Sequence, residues 1–147
     1  MYSSKNIAYV LTCLEAIEKL ILYTRDIEGA EDFLERNDQL NYNACLTLLM
    51  TIGEEVNKID TLLKEEYPTV PWQNIKGMRN RIAHDYRGLD PTIPYSIIRN
   101  YLLPLKDCFI SMIDRIDYPR VKLNTVLDSP YYKHVRYLKR CVYQTGW

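Results

Sequence analysis

The sequence contains few of the residues that interrupt helices. It has five glycines and seven prolines among 147 residues, and several of the prolines stand where a helix would start or stop. Long uninterrupted segments remain between them, which favours an all-α fold. A chain of this length fits one domain that can bury a single core without disulfide or metal crosslinks.

Long hydrophobic runs are also absent. No apolar stretch approaches the roughly 18 residues that a membrane-spanning helix requires. The N-terminal sequence Met-Tyr-Ser-Ser-Lys lacks the apolar block of a signal peptide. We therefore expect a cytoplasmic protein without a membrane partner.

Metal-ligating side chains are sparse and scattered. The four cysteines lie far apart in the sequence, and only two histidines accompany them. This spacing favours ordinary reduced cysteines over a zinc site or a disulfide framework. We therefore expect any catalysis to need neither a metal nor another cofactor. The residues in question are Cys13, Cys45, Cys108, Cys141, His84 and His134.

The net charge of zero conceals an unequal distribution of charge. Residues 1–66 contain six Lys and Arg against thirteen Asp and Glu, whereas residues 67–147 contain thirteen against six. A polyanion would be attracted to the second half. A solvated basic face, or a basic half that pairs with the acidic half, would give the same asymmetry, so charge alone leaves these alternatives open.

Apolar residues that recur every three or four positions predict five helical segments. Gly29 is expected to close the first, and one or two helical turns are expected at residues 31–36. Gly53 is expected to mark a close helix crossing, because glycine is unfavourable in a helix interior. Asp90 or Thr92 is the expected cap of the fourth segment. The predicted segments are residues 4–27, 40–66, 72–87, 94–116 and 131–142.

The first four of these segments are long and have short connections. We therefore expect residues 1–116 to form a four-helix bundle. Residues 117–147 are expected to add a basic, tyrosine-rich helical appendage that packs on or extends the same domain. His134 lies in this appendage, so a structural role is expected for it rather than a catalytic one.

The most informative stretch is residues 77–86, Gly-Met-Arg-Asn-Arg-Ile-Ala-His-Asp-Tyr. Wound as a helix at about 100° per residue, it places Ile82 on an apolar stripe that faces the core. Gly77, Asn80 and His84 then lie together on the opposite face. The imidazole is therefore expected to point away from the core of its own subunit.

Two side chains of this stretch suit phosphodiester chemistry. A histidine has a reference pKa of about 6.5 and can exchange a proton near neutral pH. A guanidinium binds phosphate oxygens two at a time. His84 and Arg79 together would therefore support phosphodiester cleavage by acid/base catalysis and charge stabilisation, without a metal.

The spacing of Arg79 and His84 raises a geometric problem. Five residues of helix separate two side chains by about 140°, so one straight helix does not bring them together. Either the helix breaks just after His84, or the same helix of a second subunit supplies the missing group. Gly77 on the histidine face would let such a partner helix come close.

Four short motifs occur in a fixed order. They are Ile-Gly-Glu-Glu at 52–55, Pro-Trp-Gln-Asn-Ile at 71–75, Gly-Met-Arg-Asn at 77–80 and His-Asp-Tyr at 84–86. The set resembles the HepT-like family of the HEPN superfamily, helical ribonuclease-like toxins paired with a small nucleotidyltransferase antitoxin of the MNT type. The resemblance spans about residues 7–116. It implies an antiparallel four-helix bundle of HEPN type that forms a symmetric homodimer, with the site in a cleft between subunits.

The resemblance also implies roles for individual residues. Carried over by position, Arg79, Asn80 and His84 are catalytic, and Tyr86 receives AMP from the antitoxin. The implied function is that of a toxin in a type VII-like toxin–antitoxin system, a metal-independent endoribonuclease that cleaves RNA through an Arg-x-x-x-x-His motif. The alternative is a catalytically silent dimeric module that the nucleotidyltransferase binds and AMPylates. The tail, residues 117–147, departs from the family pattern and leaves the accessibility of the cleft open.

Further cations surround the motif. Lys76, Arg81 and Arg87 are expected to contact RNA phosphates, an expectation that rests on local charge and not on the family motif. These three residues bring positive charge of the second half of the chain close to His84.

The motif residues also have structural interpretations. His84 could be a solvated surface histidine, and Arg79 could pair with Glu54 or Glu55. Tyr86 could pack at the end of the helix. These interpretations remain open at the level of sequence.

Overall fold

The computed structural model describes residues 1–140, so Cys141 and the predicted helix end at Val142 lie outside the described residues. Helices dominate this part of the chain, and its only β-type pairing is a single bridge between Tyr2 and Ile116. The predicted all-α class is therefore confirmed. The segments are α1 (Asn6–Tyr23), α2 (Gly29–Lys58), α3 (Thr61–Glu65), α4 (Trp72–His84), α5 (Thr92–Ile113), α6 (Arg120–Val126) and a 3₁₀ segment (Pro130–Leu138).

α1 forms the centre of the hydrophobic core. It packs against α2, α5 and the 3₁₀ segment, so side chains on nearly all of its faces are buried. Each fully buried aliphatic side chain stabilises the fold by about 1.5–3 kcal/mol. Even so, within residues 1–140 none of the helices combines the length and the hydrophobicity needed to cross a bilayer. The fully buried side chains of α1 include Val10, Leu11, Leu14, Ile17 and Leu20.

The connection between α1 and α2 differs from the prediction. α1 ends at Tyr23 rather than at residue 27. The carbonyl oxygens of Thr24 and Ile27 accept hydrogen bonds from the Arg99 guanidinium of α5, which holds this segment in a turn. Gly29 has a φ of +92° and begins α2, so the prediction that it closes the first helix is wrong. Glycine adopts this left-handed conformation without steric cost.

α2 is interrupted near its start. Arg36–Gln39 has non-helical backbone angles, and the last three of these residues have φ values between 53° and 69°. On the N-terminal side, the Arg36 guanidinium pairs with the Asp32 carboxylate at 2.6 Å. Regular helix resumes at Leu40. The predicted short helical segment at 31–36 and the predicted start of a long helix at residue 40 are both confirmed.

α2 ends at Lys58, before the predicted end at residue 66. Asn6 is fully buried, and its Nδ2 donates to Asp60 Oδ2 at 2.9 Å while its Oδ1 accepts from the Asp60 backbone amide at 3.0 Å. The hydrogen bond from Asn6, followed by one from Lys5, lowers the pKa of the Asp60 carboxyl. These hydrogen bonds tie residues 59 and 60, which are extended, to the start of α1. The helix predicted to continue to residue 66 is therefore interrupted, and Thr61–Glu65 forms the separate α3.

α4 begins at Trp72 as predicted, but it ends at His84. α5 follows after a short connection. Its N-cap position is Pro91, and Asp90, one residue earlier, accepts a hydrogen bond at Oδ1 from the backbone amide of Thr92 at 3.0 Å. The same hydrogen bond is the main cause of the lowered pKa of Asp90. Of the two predicted caps, Asp90 therefore binds the first turn of the helix, although it is not the N-cap residue itself.

Residues 117–140 pack on the same hydrophobic core as the bundle. Their 3₁₀ segment lies on α1, whereas α4 lies on α2. Ser129 and Pro130 open a 3₁₀ segment and not the α-helix predicted for 131–142, because Tyr132 and Val135 have non-helical backbone angles. The division of the chain at residue 116 stays a prediction. The buried residues of this part are Leu123, Leu127, Val135 and Leu138.

Candidate active site

α4, the helix that carries the motif, is anchored at its start and along its apolar side. Trp72 Nε1 donates to the carbonyl oxygens of Lys64 at 3.1 Å and Tyr67 at 3.2 Å. The indole also packs on Phe109, with ring centroids 6.3 Å apart. Ile82, near the other end, is only 2% exposed. These contacts fix the position of the motif on the surface of the bundle.

Gly53 permits the close approach of α4 to α2. A Cβ atom at this position would lie 2.5 Å from Arg79 Cβ and 3.4 Å from the carbonyl oxygen of Ile75. No side chain fits at such a distance without a shift of the neighbouring helix. The prediction that Gly53 marks a helix crossing is therefore confirmed, and the crossing is made with the motif helix itself.

Arg79 lies over α2 and is only weakly held there. Its Nη2 is 3.4 Å from Glu54 Oε1, and its Nη1 donates to Asn80 Oδ1 at 3.3 Å. Both contacts are long, and the side chains of Arg79 and Glu54 are 34% and 48% exposed, so the pair contributes little stability. Glu55 instead pairs with Lys58 at 3.0 Å. The guanidinium can therefore exchange Glu54 for a stronger anion such as phosphate.

His84 is the last residue of α4, and its side chain is exposed. Within residues 1–140 its imidazole has no hydrogen bond or ion pair. Gly77 and Asn80 on the same face are exposed too, and a Cβ at Gly77 would have no atom within 4 Å. The predicted orientation of this face away from the core is confirmed, and the face is open.

Arg79 and His84 leave α4 in different directions. On a regular helix five residues separate them by about 140° around the axis and about 7.5 Å along it. The helix breaks after His84, as one of the predicted alternatives required, but His84 itself is still helical. The break therefore redirects only the residues that follow.

The break after α4 turns Tyr86 back towards α2. Its hydroxyl donates to Asn43 Oδ1, and its ring meets the Tyr42 ring at 68° with centroids 6.5 Å apart. The prediction that α4 extends past Tyr86 is wrong. The turn is tight, since a Cβ at Gly88 would lie 2.4 Å from an oxygen of Asp85. Tyr86 is nevertheless 41% exposed, so a partner protein can reach it.

The three predicted phosphate contacts surround the open face. Lys76, Arg81 and Arg87 are all exposed. Among residues 1–140 none of these three forms an ion pair with a carboxylate. They give the surface next to His84 a positive charge that anions can neutralise.

Sequence reasoning missed Asn43 as a partner of Tyr86. The two residues are 43 positions apart, and no local pattern connects them. Their contact arises because α2 passes beside the turn that follows α4. From the sequence alone, a single polar residue on a long helix does not reveal such a contact.

The described cysteines are free thiols, as the sequence predicts. Burial raises the pKa of Cys45 to about 12 and raises that of Cys13 well above its ordinary value, so neither is a reactive nucleophile. Within residues 1–140 no group of three or more His, Cys, Asp or Glu side chains is placed to hold a metal ion.

The fold and this surface define a class of protein: an α-helical domain with an exposed histidine site on a cationic helix face. A family model described as ribonuclease HepT-like matches residues 13–112. The chain therefore belongs to the HepT-like ribonuclease family, as the resemblance implied.

Two relatives illustrate the match. "Putative RNase MJ1216" of Methanocaldococcus jannaschii is 30% identical over 110 residues, which cover 75% of this chain and 88% of that protein. "Probable ribonuclease HepT" of Thermococcus cleftensis is 32% identical over 101 residues, which cover 69% of this chain and 89% of that protein. No solved structure matches the chain. The match of the family model, residues 13–112, includes the whole of α4 and therefore the motif.

Proposed function

We propose that this chain is a metal-independent endoribonuclease that acts as a homodimer. The observation that carries the proposal is the exposed imidazole of His84, which has no partner within residues 1–140. It stands on an open, cationic face of α4 in a member of the HepT-like ribonuclease family. A histidine held only for structure would be expected to bind a neighbour. The scattered cysteines and histidines support a mechanism without a metal.

The chemistry follows from three side chains. His84 moves a proton at the attacking 2′-hydroxyl or at the leaving 5′-oxygen. Arg79 stabilises the negative charge that develops on the pentacoordinate phosphorus. Asn80, between them on the helix, orients one of these groups or the phosphate. Attack by the 2′-oxygen leaves a 2′,3′-cyclic phosphate on one product and a free 5′-hydroxyl on the other.

Dimerisation completes this site. Arg79 and His84 diverge by about 140° on α4, so the arginine of one subunit serves the histidine of its partner. The face that contains Gly77 is free of side-chain contacts at that glycine, and a second α4 can approach it closely. A two-fold interface builds two equivalent clefts. Lys76, Arg81 and Arg87 then bind the RNA strand on either side.

The cellular role proposed is that of a toxin in a type VII-like toxin–antitoxin system located in the cytoplasm. Its partner is an MNT-type nucleotidyltransferase, which silences the toxin by transferring AMP to Tyr86. In that step the Tyr86 oxygen bonds to the α-phosphorus of ATP, pyrophosphate leaves and the phenolic proton is released. The exposure of Tyr86 supports this role. The added phosphate would compete with RNA for the neighbouring arginines.

A second candidate is a catalytically silent dimer that serves only as a target of the nucleotidyltransferase. One observation favours it: Arg79 is already paired with Glu54, and it points away from His84. In this case the motif surface is a docking surface and the protein cleaves nothing. The tail on α1 is compatible with either candidate, because α4 lies on α2.

Cleavage of RNA in the presence of a chelator distinguishes the two candidates. Purified protein is expected to cut single-stranded RNA in EDTA. His84→Ala should reduce the rate by about 10²- to 10⁴-fold, the usual contribution of an acid/base group. His134→Ala is the matched control, since His134 lies on the other side of the bundle, and it should retain activity per folded molecule. Circular dichroism verifies folding of both variants. Loss of cleavage in EDTA, or full activity of the His84 variant, would contradict the mechanism.

Intact-mass spectrometry tests the modification site. Incubation with ATP and the cognate nucleotidyltransferase should add mass in steps of one AMP. Tyr86→Phe keeps the ring but removes the accepting oxygen, so these steps should disappear. Tyr101→Phe is a matched control, because Tyr101 is also exposed, at 56%, but lies on α5. Persistent AMP addition to the Tyr86 variant would place the modification elsewhere.

A further inference from the structure

A groove lined mostly by residues of polar type separates the end of α2, together with α3, from the N-terminal half of α4. Its cavity measures about 320 Å³ and adjoins a second cavity of about 340 Å³, with Asn57 and Lys76 lining both. Arg79 and Asn80 line the second cavity. We call the first cavity the lysine groove. It is lined by Val56, Asn57, Thr61, Lys64, Glu65, Trp72, Gln73 and Lys76.

Two lysines line this groove without a carboxylate partner. Within residues 1–140 neither Lys64 nor Lys76 forms an ion pair, although Glu65 lines the same groove. Lys64 is half-buried, and its Nζ donates to the carbonyl oxygen of Val56 at 3.0 Å. Burial lowers the pKa of Lys64, and the nearby positive charge of Lys76 lowers it further.

The other cations of the adjoining cavity differ in this respect, since Lys58 is paired with Glu55 at 3.0 Å and Arg79 is paired with Glu54 at 3.4 Å. Of the cations that line the two cavities, Lys64 and Lys76 are therefore the two that pair with no carboxylate of residues 1–140. A bound anion would relieve the repulsion between the two ammonium groups. The groove also presents the side-chain amides of Asn57 and Gln73, which donate hydrogen bonds.

The position of the groove indicates which anion it would bind. Lys76 and Asn80 are one helical turn apart on α4, about 6 Å along the axis. An RNA strand with its cleaved phosphate at Asn80 therefore has an adjacent part of its backbone beside Lys76. We propose that Lys64 and Lys76 form a subsite for an RNA backbone phosphate next to the cleaved bond. This inference rests on the proposed function and names a contact that positions the substrate.

RNA binding measured without cleavage tests the subsite. The parent protein for this experiment is the His84→Ala variant, and the probe is a fluorescein-labelled single-stranded RNA followed by anisotropy over a series of salt concentrations. Lys64→Gln and Lys76→Gln should each flatten the slope of log affinity against log salt by about 0.7, the value for one phosphate contact with a single strand. Lys64→Arg keeps the charge and should keep the slope. Lys133→Gln is the matched control on the tail and should leave the slope unchanged.

The outcomes separate this inference from the proposed function. If both glutamine variants keep the slope of a parent that binds RNA, the subsite is refuted, whatever the cleavage assay shows. An equal change in Lys133→Gln would reveal an effect of net charge alone and would refute it as well. If the groove variants lose slope but the wild-type protein never cleaves RNA, Lys64 and Lys76 bind an RNA phosphate, but the nuclease proposal fails and with it the position of that phosphate next to a cleaved bond. No RNA binding by the parent would overturn both.

Discussion

The two histidines of the chain occupy opposite environments. His134 Nδ1 lies 2.6 Å from Glu15 Oε1, and its backbone amide donates to both oxygens of the same carboxylate, at 3.2 and 2.9 Å. Glu15 is only 4% exposed. His84 on α4 is exposed and has no bonded neighbour within residues 1–140. One histidine locks the tail onto α1, and the other is available to a ligand.

The same contrast extends to the surroundings of each histidine. One turn after Glu15, Glu18 pairs with Lys106 at 2.6 Å and accepts a hydrogen bond from the Tyr137 hydroxyl at 3.1 Å. Burial, followed by the charge of Glu18, raises the pKa of Tyr137. Around His84, the side chains of Lys76, Arg81 and Arg87 are exposed, and none of them pairs with a carboxylate of residues 1–140. The polar groups around His134 therefore stabilise the fold, whereas these three cations are available to bind anions.

The largest effect on stability is expected from a substitution that removes the hydrogen bonds between α1 and His134. Glu15→Ala removes a buried carboxylate that accepts three hydrogen bonds from His134. We expect the free energy of unfolding in urea to fall by about 3 kcal/mol. Glu18→Ala, at a more exposed ion pair, should cost about 1 kcal/mol or less. Cleavage per folded molecule should be unchanged in both.

Equal destabilisation by the two glutamate variants would contradict this contrast. It would mean that the contact with His134 contributes no more than the half-buried ion pair of Glu18 and Lys106. A loss of cleavage by folded Glu15→Ala would mean that the two sides of the molecule are coupled, against the separation described above.

An intermediate effect is expected from two glycines, Gly53 of α2, which α4 crosses, and Gly77 within α4. Gly53→Ala places a Cβ 2.5 Å from Arg79 Cβ and should destabilise the protein by about 1–2 kcal/mol through overpacking. Gly77→Ala meets no atom and should stabilise the isolated subunit by up to about 1 kcal/mol, through helix propensity alone. Urea unfolding of dilute protein, below the dimer dissociation constant, checks both.

On the open face, a bulky substitution at Gly77 tests the association of the subunits. Gly77→Leu adds bulk between the two helices of the proposed dimer, so light scattering at micromolar concentration should show a dimer for the wild type and a monomer for this variant. A wild-type monomer would argue against the shared cleft.

For the other glycine, stabilisation by Gly53→Ala would show that α4 can move away from α2 at no cost.

The smallest effect on stability is expected at the turn after α4, where the Tyr86 hydroxyl donates to Asn43 Oδ1 of α2. Tyr86→Phe and Asn43→Ala should each lower the free energy of unfolding by about 1 kcal/mol, since the contact is partly exposed. In a double-mutant cycle the coupling should be about 0.5–1 kcal/mol. A coupling of zero would show that the hydroxyl is already free, as a modification site can be.

Much of the helical frame could be predicted, because it depends on local patterns. The spacing of apolar residues placed the start of the long helix at Leu40 and the start of α4 at Trp72, and Asp90, which binds the first turn of α5, was one of two candidate caps. Gly53 was predicted as a crossing, because glycine in a helix interior needs a packing reason. The wrong boundaries have long-range causes. α2 ends at Lys58 because Asn6 binds a residue 54 positions away.

The same distinction between local patterns and long-range contacts applies to the candidate site. The sequence by itself determined that Gly77, Asn80 and His84 share one face opposite to Ile82, because the helical repeat fixes side-chain directions within a few turns. It also determined the cations around that face. Only the tertiary structure decided that Arg79 pairs with Glu54, that Tyr86 binds Asn43 and that His134 is locked onto a buried Glu15. Each of these contacts joins segments far apart in the chain, and their meeting depends on how the helices pack.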